Sequence, residues 1–353
     1  MAFEELLTSQ DDWFSQSGPL GEVVISSRVR FARNLEGRKF PHHANANEQR
    51  AVLDEVQQAV ASLPQATGLK FVRLSEISSL DRQFLTEHQL ISAEHAASLG
   101  ERAVAYDAKE GLSFLVNEED HLRLQAFRTG LCLKEIFESL NQIDSALSEK
   151  LHYAKDPRLG YLTACPTNLG LALRASVMLH LPALVSTNRV AQVFQGVTQV
   201  GLIVRGFQGE TTRVASAFFQ ISNQSSLGKR GVEIVEHVDR IARQLVEVEI
   251  QTQKAVFQQE GIKIQDRICR ALGTLKSAKI ISLPEALDGL SAIRVGVEQK
   301  ILSGIGLPNL NGLLILIQPA HLAKIAAREL NPEQEAQERA KLLGTCLKGV
   351  EAA

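Results

Sequence analysis

What this chain lacks narrows its function before any motif is read. Its four cysteines, Cys132, Cys165, Cys269 and Cys346, lie far apart with no CxxC pair. That spacing argues against a zinc ribbon or a disulfide scaffold and fits a reducing, cytoplasmic setting. No apolar run reaches the roughly eighteen residues of a membrane span, and the amino end, MAFEELLTSQDDWF, has no basic stretch ahead of an apolar one, so neither membrane insertion nor export is expected. Neither a Walker A sequence nor GxGxxG occurs, which removes the glycine-rich loop as a phosphate cradle. Charge of one sign is missing as well. With 38 Lys and Arg against 40 Asp and Glu the net charge is -2, and no global attraction to nucleic acid or lipid follows. Repeats and low-complexity tracts are absent too.

What is present is an ordinary globular composition, 44% hydrophobic and 22% charged over 353 residues, long enough for two domains. Period-two patterning predicts strands over 22–31, 112–116, 121–127, 200–205 and 217–222. Apolar residues recurring at three and four predict helices over 46–63, 129–147, 168–179 and 232–258. From Asp266 the pattern becomes helix and turn only, with Pro284, Pro308, Pro319 and Pro332 marking where helices start or stop, and GIGLPNLNG at 304–312 reading as a loop. A boundary near Gln253 separates residues 1–253, an α+β domain, from 254–353, an all-helical one.

Placed on those strands, the charged residues gather. In EVVISSRVRFARN, alternation sends Ser26, Arg28 and Arg30 to one face and Ile25, Val29 and Phe31 to the other. In HLRLQAF, Arg123 and Gln125 oppose Leu122, Leu124 and Ala126. Arg205 closes a further strand, and Arg174 falls in the predicted helix of TACPTNLGLALRASVMLHLPAL. Any one of these arginines alone reads as a solvated charge worth ~0–1 kcal/mol. Five together read differently, because a guanidinium offers a planar fork that grips phosphate oxygens bidentately and keeps its charge in a dry site. The stretch VNEEDHLRL adds three consecutive carboxylates, Glu118, Glu119 and Asp120, inside an apolar run.

VISSRVRFARN, VNEEDHLR, TACPTNLGLALRASVMLHLPAL and RGFQGETT followed by FFQISNQSSLGK resemble, in that order, the guanidino-kinase catalytic domain, and among its members the bacterial protein-arginine kinases. The resemblance spans roughly residues 20 to 253. It implies a mainly antiparallel sheet flanked by helices and a helical carboxyl-terminal domain. It further implies transfer of phosphate from Mg²⁺-bound ATP to arginine side chains of proteins, with a role in protein quality control or stress. Under it, Glu119 is the catalytic base, Glu210 a second carboxylate gripping the guanidinium, Glu118 an outer partner of the magnesium waters, and Cys165 a reactive thiolate beside the acceptor, favoured by the amino end of the following helix. Arg28, Arg30, Arg123, Arg174 and Arg205 fall on the ATP-phosphate positions. The nucleotide site also takes in Ser26, Ser27 and Val29, then His88 and Gln89, then Ala175, Ser176, Val177 and Met178, and finally Gly206, Phe207, Gln208 and Gly209 with Glu210. No metal site built from protein ligands alone is implied. Protein substrates with exposed arginines, an activator protein, a protease-linked unfoldase and a homo-oligomer complete the expectation, with neither nucleic acid nor membrane as partner.

The chain also departs from the family pattern. PTNLGTGLRAS reads PTNLGLALRAS, so Leu171 and Ala172 are expected to tighten or obstruct the nucleotide loop; Gln89 stands where the family has a histidine, with His88 beside it; Arg213 replaces a frequent carboxylate; and the RDxxRA phosphoarginine motif survives only as Arg339 and Ala340. Two other functions therefore remain open at this level: a catalytically impaired nucleotide-binding adaptor, and a kinase of a free guanidino metabolite.

Overall fold

The computed structural model describes residues 3, 6, 7, 13–109, 111–206 and 217–352. In chain order they form β1 (Val24–Arg33), α1 (Ala46–Ala61), β2 (Lys70–Arg73), α2 (Ser79–Glu87), α3 (Ala93–Ala97), β3 (Ala103–Asp107), β4 (Leu112–Val116), β5 (Leu122–Thr129) and α4 (Leu133–Ser148). A short pair, β6 (Lys155–Asp156) and β7 (Gly160–Tyr161), precedes β8 (Leu173–His180), α5 (Pro182–Ser186), α6 (Val190–Gln199), β9 (Leu202–Gly206) and β10 (Phe218–Asn223). The remainder is α7 (Gly231–Ser277), α8 (Leu283–Glu298), β11 (Leu302–Ser303), α9 (Leu307–Leu316), α10 (Pro319–Ile325), α11 (Pro332–Cys346) and β12 (Glu351–Ala352).

Local chemistry explains where the helices begin. Asn45 and Glu48 form a capping box on α1, Ser78 and Asp81 on α2, and Asn331 and Gln334 on α11, each satisfying amide groups that a first turn leaves unpaired. Pro284, Pro308, Pro319 and Pro332 all sit in the first turn of a helix, where a missing N–H costs nothing.

Eight strands form one sheet in the order β2-β3-β4-β5-β1-β8-β10-β9, with neighbours antiparallel throughout. The segment 168–179, which the apolar spacing assigns to a helix, is a single 3-10 turn at Pro166–Asn168 and then strand β8, between β1 and β10. Alternation is what the core reads there: Ala175, Val177 and Leu179 are fully buried on one face. GIGLPNLNG is likewise only partly a loop, since α9 begins at Leu307. The long helix continues past Gln253 to Ser277, with a break at Glu260 (φ -129°, ψ 25°). The carboxyl-terminal part is not wholly helical, because β11 pairs with β12.

One face of the sheet carries the main core, in which Val29, Phe31, Leu122, Leu124, Ala175 and Val177 pack against Leu53 and Val56 of α1, Ile136 and Leu140 of α4, and Val238 and Leu245 of α7. Two separate apolar clusters cover the ends of the other face. Leu74, Phe84, Leu85, Leu90, Tyr106 and Leu115 cover the β3–β4 end. At the β8–β10 end, Ile25 and Phe218 pack against Leu290, Ile293, Leu310 and Leu313 of the carboxyl-terminal helices. A bulge between Val24 and Ser26 puts Ile25 on this second face, not with Val29 and Phe31 as simple alternation implies. Between the clusters a polar slot is left open. No helix among the described residues is long and apolar enough to cross a membrane.

Candidate active site

Five arginines gather on the sheet face that floors this slot, and Arg28, Arg30 and Arg123 line it directly. Arg30 lies opposite Arg174 of β8 and opposite Gln125 of β5, while Arg28 lies opposite Phe127 and Ser176. Arg123 and Arg205 join the same face through the registers Ala32↔Arg123 and Gln220↔Arg205. Burial first, and then their mutual repulsion, makes three of them more acidic. Burial, then Arg123 and Arg174, bring the Arg28 guanidinium down to about 9. Burial and the charges of Arg28, Arg123 and Arg174 hold Arg30 well below the usual arginine value, and burial with Arg205 and Arg123 lowers Arg174. The Arg28 Nε is buried without a hydrogen-bond acceptor among the described residues. Arg28, Arg30, Arg174 and Arg205 have no carboxylate partner among the described residues, and such a cluster suits a polyanion.

The carboxylates stand at its edge. Asn117, at φ 58°, opens a turn that donates its side-chain amide to the Gln49 and Glu101 carbonyls, 2.8 Å each. Arg102 clamps the carbonyls of Asn117 and Glu118. Glu118 is buried and paired with Arg123 and the Ser92 hydroxyl. Burial pushes its carboxyl up, but Arg123, Ser92, His95 and the Glu119 amide outweigh that and leave it below the usual carboxylate range. Glu119 meets Arg123 at 2.9 Å yet keeps 43% of its side chain exposed, so it faces solvent at the mouth of the slot. Asp120, fully buried, accepts from Asn34 Nδ2 at 2.6 Å and from the Ala164 amide at 2.8 Å. It thus ties the turn to the residue that follows β1 and to the loop bearing Cys165. Sequence reasoning missed Asn34, Ser92, Arg102 and the role of Asp120, since each acts through a partner far away in the chain.

Two adjoining cavities occupy the slot. One, of about 210 Å³, is lined by Arg28, Arg30, Arg123, Gln125, Glu118 and Ser92. The other, of about 380 Å³, is lined by Ser26, Phe127, Ser176, Met178 and Gln220 of the sheet and by Asn311, Leu314, Ile315 and Gln318 of the carboxyl-terminal helices. Arg28, Thr86 and Gln89 line both. Gln89, at φ 65°, accepts from Gln125 through its carbonyl, 3.1 Å.

Several expected site residues stand elsewhere. Ser27, Val29, Ala175 and Val177 turn their side chains to the opposite face, three into the core and Ser27 onto the Gly130 carbonyl at 2.8 Å. Only Ser26, Arg28, Arg30, Arg174, Ser176 and Met178 of those stretches face the slot. His88 is fully buried against Phe14, Phe84 and His321, its Nδ1 3.3 Å from His321 Nε2, and lines neither cavity. Cys165 precedes one 3-10 turn and a strand, so the helix end expected beside its sulfur is not there; Sγ lies 2.9 Å from Thr167 Oγ1. Leu171 and Ala172 do not obstruct the slot: Leu171 packs on the main core and Ala172 (φ 49°) is buried. Gly206 ends β9 opposite Phe219. Phe207, Gln208, Gly209, Glu210 and Arg213 lie outside the described residues. Arg339 is spent inside the protein, donating to the Ile317 and Ile281 carbonyls at 2.9 and 3.0 Å.

An antiparallel sheet whose one face gathers arginines beside a glutamate pair defines a guanidino phosphotransferase. The chain belongs to that family: residues 51–252 match the ATP:guanido phosphotransferase C-terminal catalytic domain, and residues 261–353 match the Protein-arginine kinase McsB C-terminal domain. It is 41% identical to the protein-arginine kinase of Symbiobacterium thermophilum over 97% of this chain and 98% of that one. Against that of Desulforamulus reducens the identity is 43%, over 94% of each. Among solved structures, lombricine kinase superposes with a TM-score of 0.60 at 26% identity, over 70% of this chain and 71% of that one. The duplicated taurocyamine kinase of Schistosoma mansoni with bound transition-state analogue components gives 0.60 at 26%, over 68% of this chain and 35% of that longer one. The chain is an ATP-using kinase.

Proposed function

We propose that this cleft transfers the γ-phosphoryl group of Mg·ATP to the guanidinium of an arginine side chain in a protein. The observation that carries the reading is the set of five arginines on one sheet face, beside a half-exposed Glu119 held in place by Arg123. The larger, more apolar cavity suits the base and ribose, and the arginine-lined one suits the phosphates. Phosphoryl transfer asks mainly for alignment and for neutralisation of the phosphoryl oxygens, and the forked donors supply both. A guanidinium is a poor nucleophile until a carboxylate orients it and takes its proton. Glu119 is assigned that role, with Glu210 as the second carboxylate and Cys165 beside the acceptor. The acceptor nitrogen then forms a bond to the γ-phosphorus, the bond to the β-phosphate oxygen breaks, ADP leaves, and the proton passes to Glu119. Magnesium enters as part of the nucleotide. Such an ion is shelled mostly by phosphates and water, and Glu118 is assigned an outer place in that shell.

The reading extends to a catalytic part over 1–253 and a helical part over 254–353, to a cytoplasmic role in quality control or stress, and to an activator, an unfoldase and self-association, which rest on the sequence resemblance. The relatives' name supports a protein acceptor. The pure protein, incubated with Mg·ATP and either an unfolded protein or free arginine, is expected to place acid-labile phosphate on the protein. Labelling of free arginine alone would assign it to a metabolite, and labelling of neither would refute the kinase reading.

A further inference from the structure

Away from the nucleotide slot, a groove of about 530 Å³ opens where residues 155–161, Gly170–Leu171 and Ser226–Lys229 meet. Two glycines allow the approach. Gly160 (φ 75°) and Gly170 (φ 99°) both adopt left-handed backbone, and an added Cβ would stand 2.4 Å from the Gly170 carbonyl oxygen or 2.6 Å from Leu227 Cα. The Tyr161 amide donates to Gly170 at 2.7 Å and the Gly170 amide to Leu159 at 2.8 Å, so the floor is fixed by backbone.

The groove's charge is one-sided. Lys155, Arg158 and Lys229 are exposed on its walls. Its one acid among the described lining residues, Asp156, is engaged by its own loop, accepting the amides of Arg158 and Leu159 at 2.7 and 2.9 Å. The side chains of Arg158 and Lys229 have no polar partner among the described residues. Lys155 Nζ lies 4.6 Å from the centre of the Tyr161 ring, which also carries the Arg33 guanidinium at 3.6 Å. Between these cations Leu159 and Leu227 stay 42% and 47% exposed. A free phosphate would answer the charges and leave both leucines in water. A polypeptide with acidic and aliphatic residues would cover both.

Position supplies the partner. The loop that leaves the groove at Tyr161 and re-enters it at Gly170 carries Cys165, and its Ala164 amide is bonded to Asp120 in the turn that bears Glu119. A chain presenting an arginine to Glu119 therefore has the groove across the same loop. Resting on the reading of the cleft as a protein-arginine kinase site, we propose that this groove docks the client polypeptide and selects segments in which acidic and aliphatic residues accompany the target arginine.

The test uses the full-length protein and two peptides of equal length with a single arginine, one rich in Asp, Glu and Leu, the other in Lys and Ser. The acidic peptide should show a KM about tenfold lower, with similar kcat and a preference that fades with salt. Lys155→Glu, Arg158→Glu and Lys229→Glu combined should abolish or reverse the preference while KM for ATP stays unchanged. The corresponding triple Gln variant should lose it without reversal, which guards against misfolding of the first. Equal KM values for the wild type, or a preference that survives both triple variants, would overturn the proposal. If neither peptide is phosphorylated the kinase reading fails instead, and fluorescence anisotropy of the labelled peptides then decides the groove: binding of the acidic peptide that the Gln variant loses supports docking, and equal or absent binding rejects it. Displacement of that peptide by single-stranded RNA at lower concentration than by unlabelled peptide would assign the surface to nucleic acid and overturn the proposal.

Discussion

Arg28 shows how single residues carry this site. Burial, Arg123 and Arg174 hold its guanidinium at about 9, so the unfolded chain binds that proton more tightly than the folded one. Folding is therefore penalised below this pH, and the penalty lifts as pH climbs from there toward the ordinary arginine value. A polyanion should relieve it. Pyrophosphate is expected to raise the melting midpoint clearly near about pH 7.5 and much less near about pH 10, although its own charge only grows over that range; a constant gain would mean that the cluster does not bind it. Replacing Arg28 or Arg174 with Lys should weaken ATP binding about tenfold or more, because a point charge cannot reproduce a fork on two oxygens. Unchanged titration curves for both variants would make them surface charges. Most of these residues were legible in the sequence, since strict alternation in SSRVR and HLRLQ marks one face. Asp120 was not. Its importance lies in Asn34 and Ala164, which no local pattern connects to it. Asp120→Asn should lower kcat with little change in KM for ATP, and rescue by Glu is not expected in so buried a position.

At the scale of elements, β8 was the principal misreading. LALRASVMLHL is rich in Leu, Ala and Met, which favour helices in isolation, and its alternation of Ala175, Val177 and Leu179 against Arg174, Ser176 and Met178 yields a strand only because β1 and β10 flank it. The error mattered, since it put Arg174 on a helix and a helix end beside Cys165. Helix starts were more legible, because prolines and capping side chains act locally. One cap reaches across the molecule: both carboxylate oxygens of Glu87, at the end of α2, accept the Ala320 amide at 3.0 Å, and one accepts the His321 amide at 3.1 Å. Glu87→Ala should cost about 1–2 kcal/mol in denaturant unfolding by leaving the first turn of α10 unpaired. A variant as stable as the parent would show that water replaces the cap.

For the whole molecule, the carboxyl-terminal helices form one wall of the cavity proposed for the base and ribose. Asn311, Leu314, Ile315 and Gln318 face Met178 and Gln220 across it, and Lys324 fixes the same region to Asp81 of α2 at 2.6 Å. Gln318→Trp, which fills part of the 380 Å³ space, should weaken ATP binding by about tenfold while leaving pyrophosphate binding intact, because only the base would be displaced. Loss of both ligands together would place the base elsewhere. Glu119 is the group proposed to make a bound guanidinium reactive. Its most direct test is the pair of measurements on Glu119→Gln, calorimetric ATP binding and phosphoryl transfer to an unfolded protein. Parental ATP affinity with transfer reduced by about a hundredfold or more is expected; transfer at the parental rate would contradict that role.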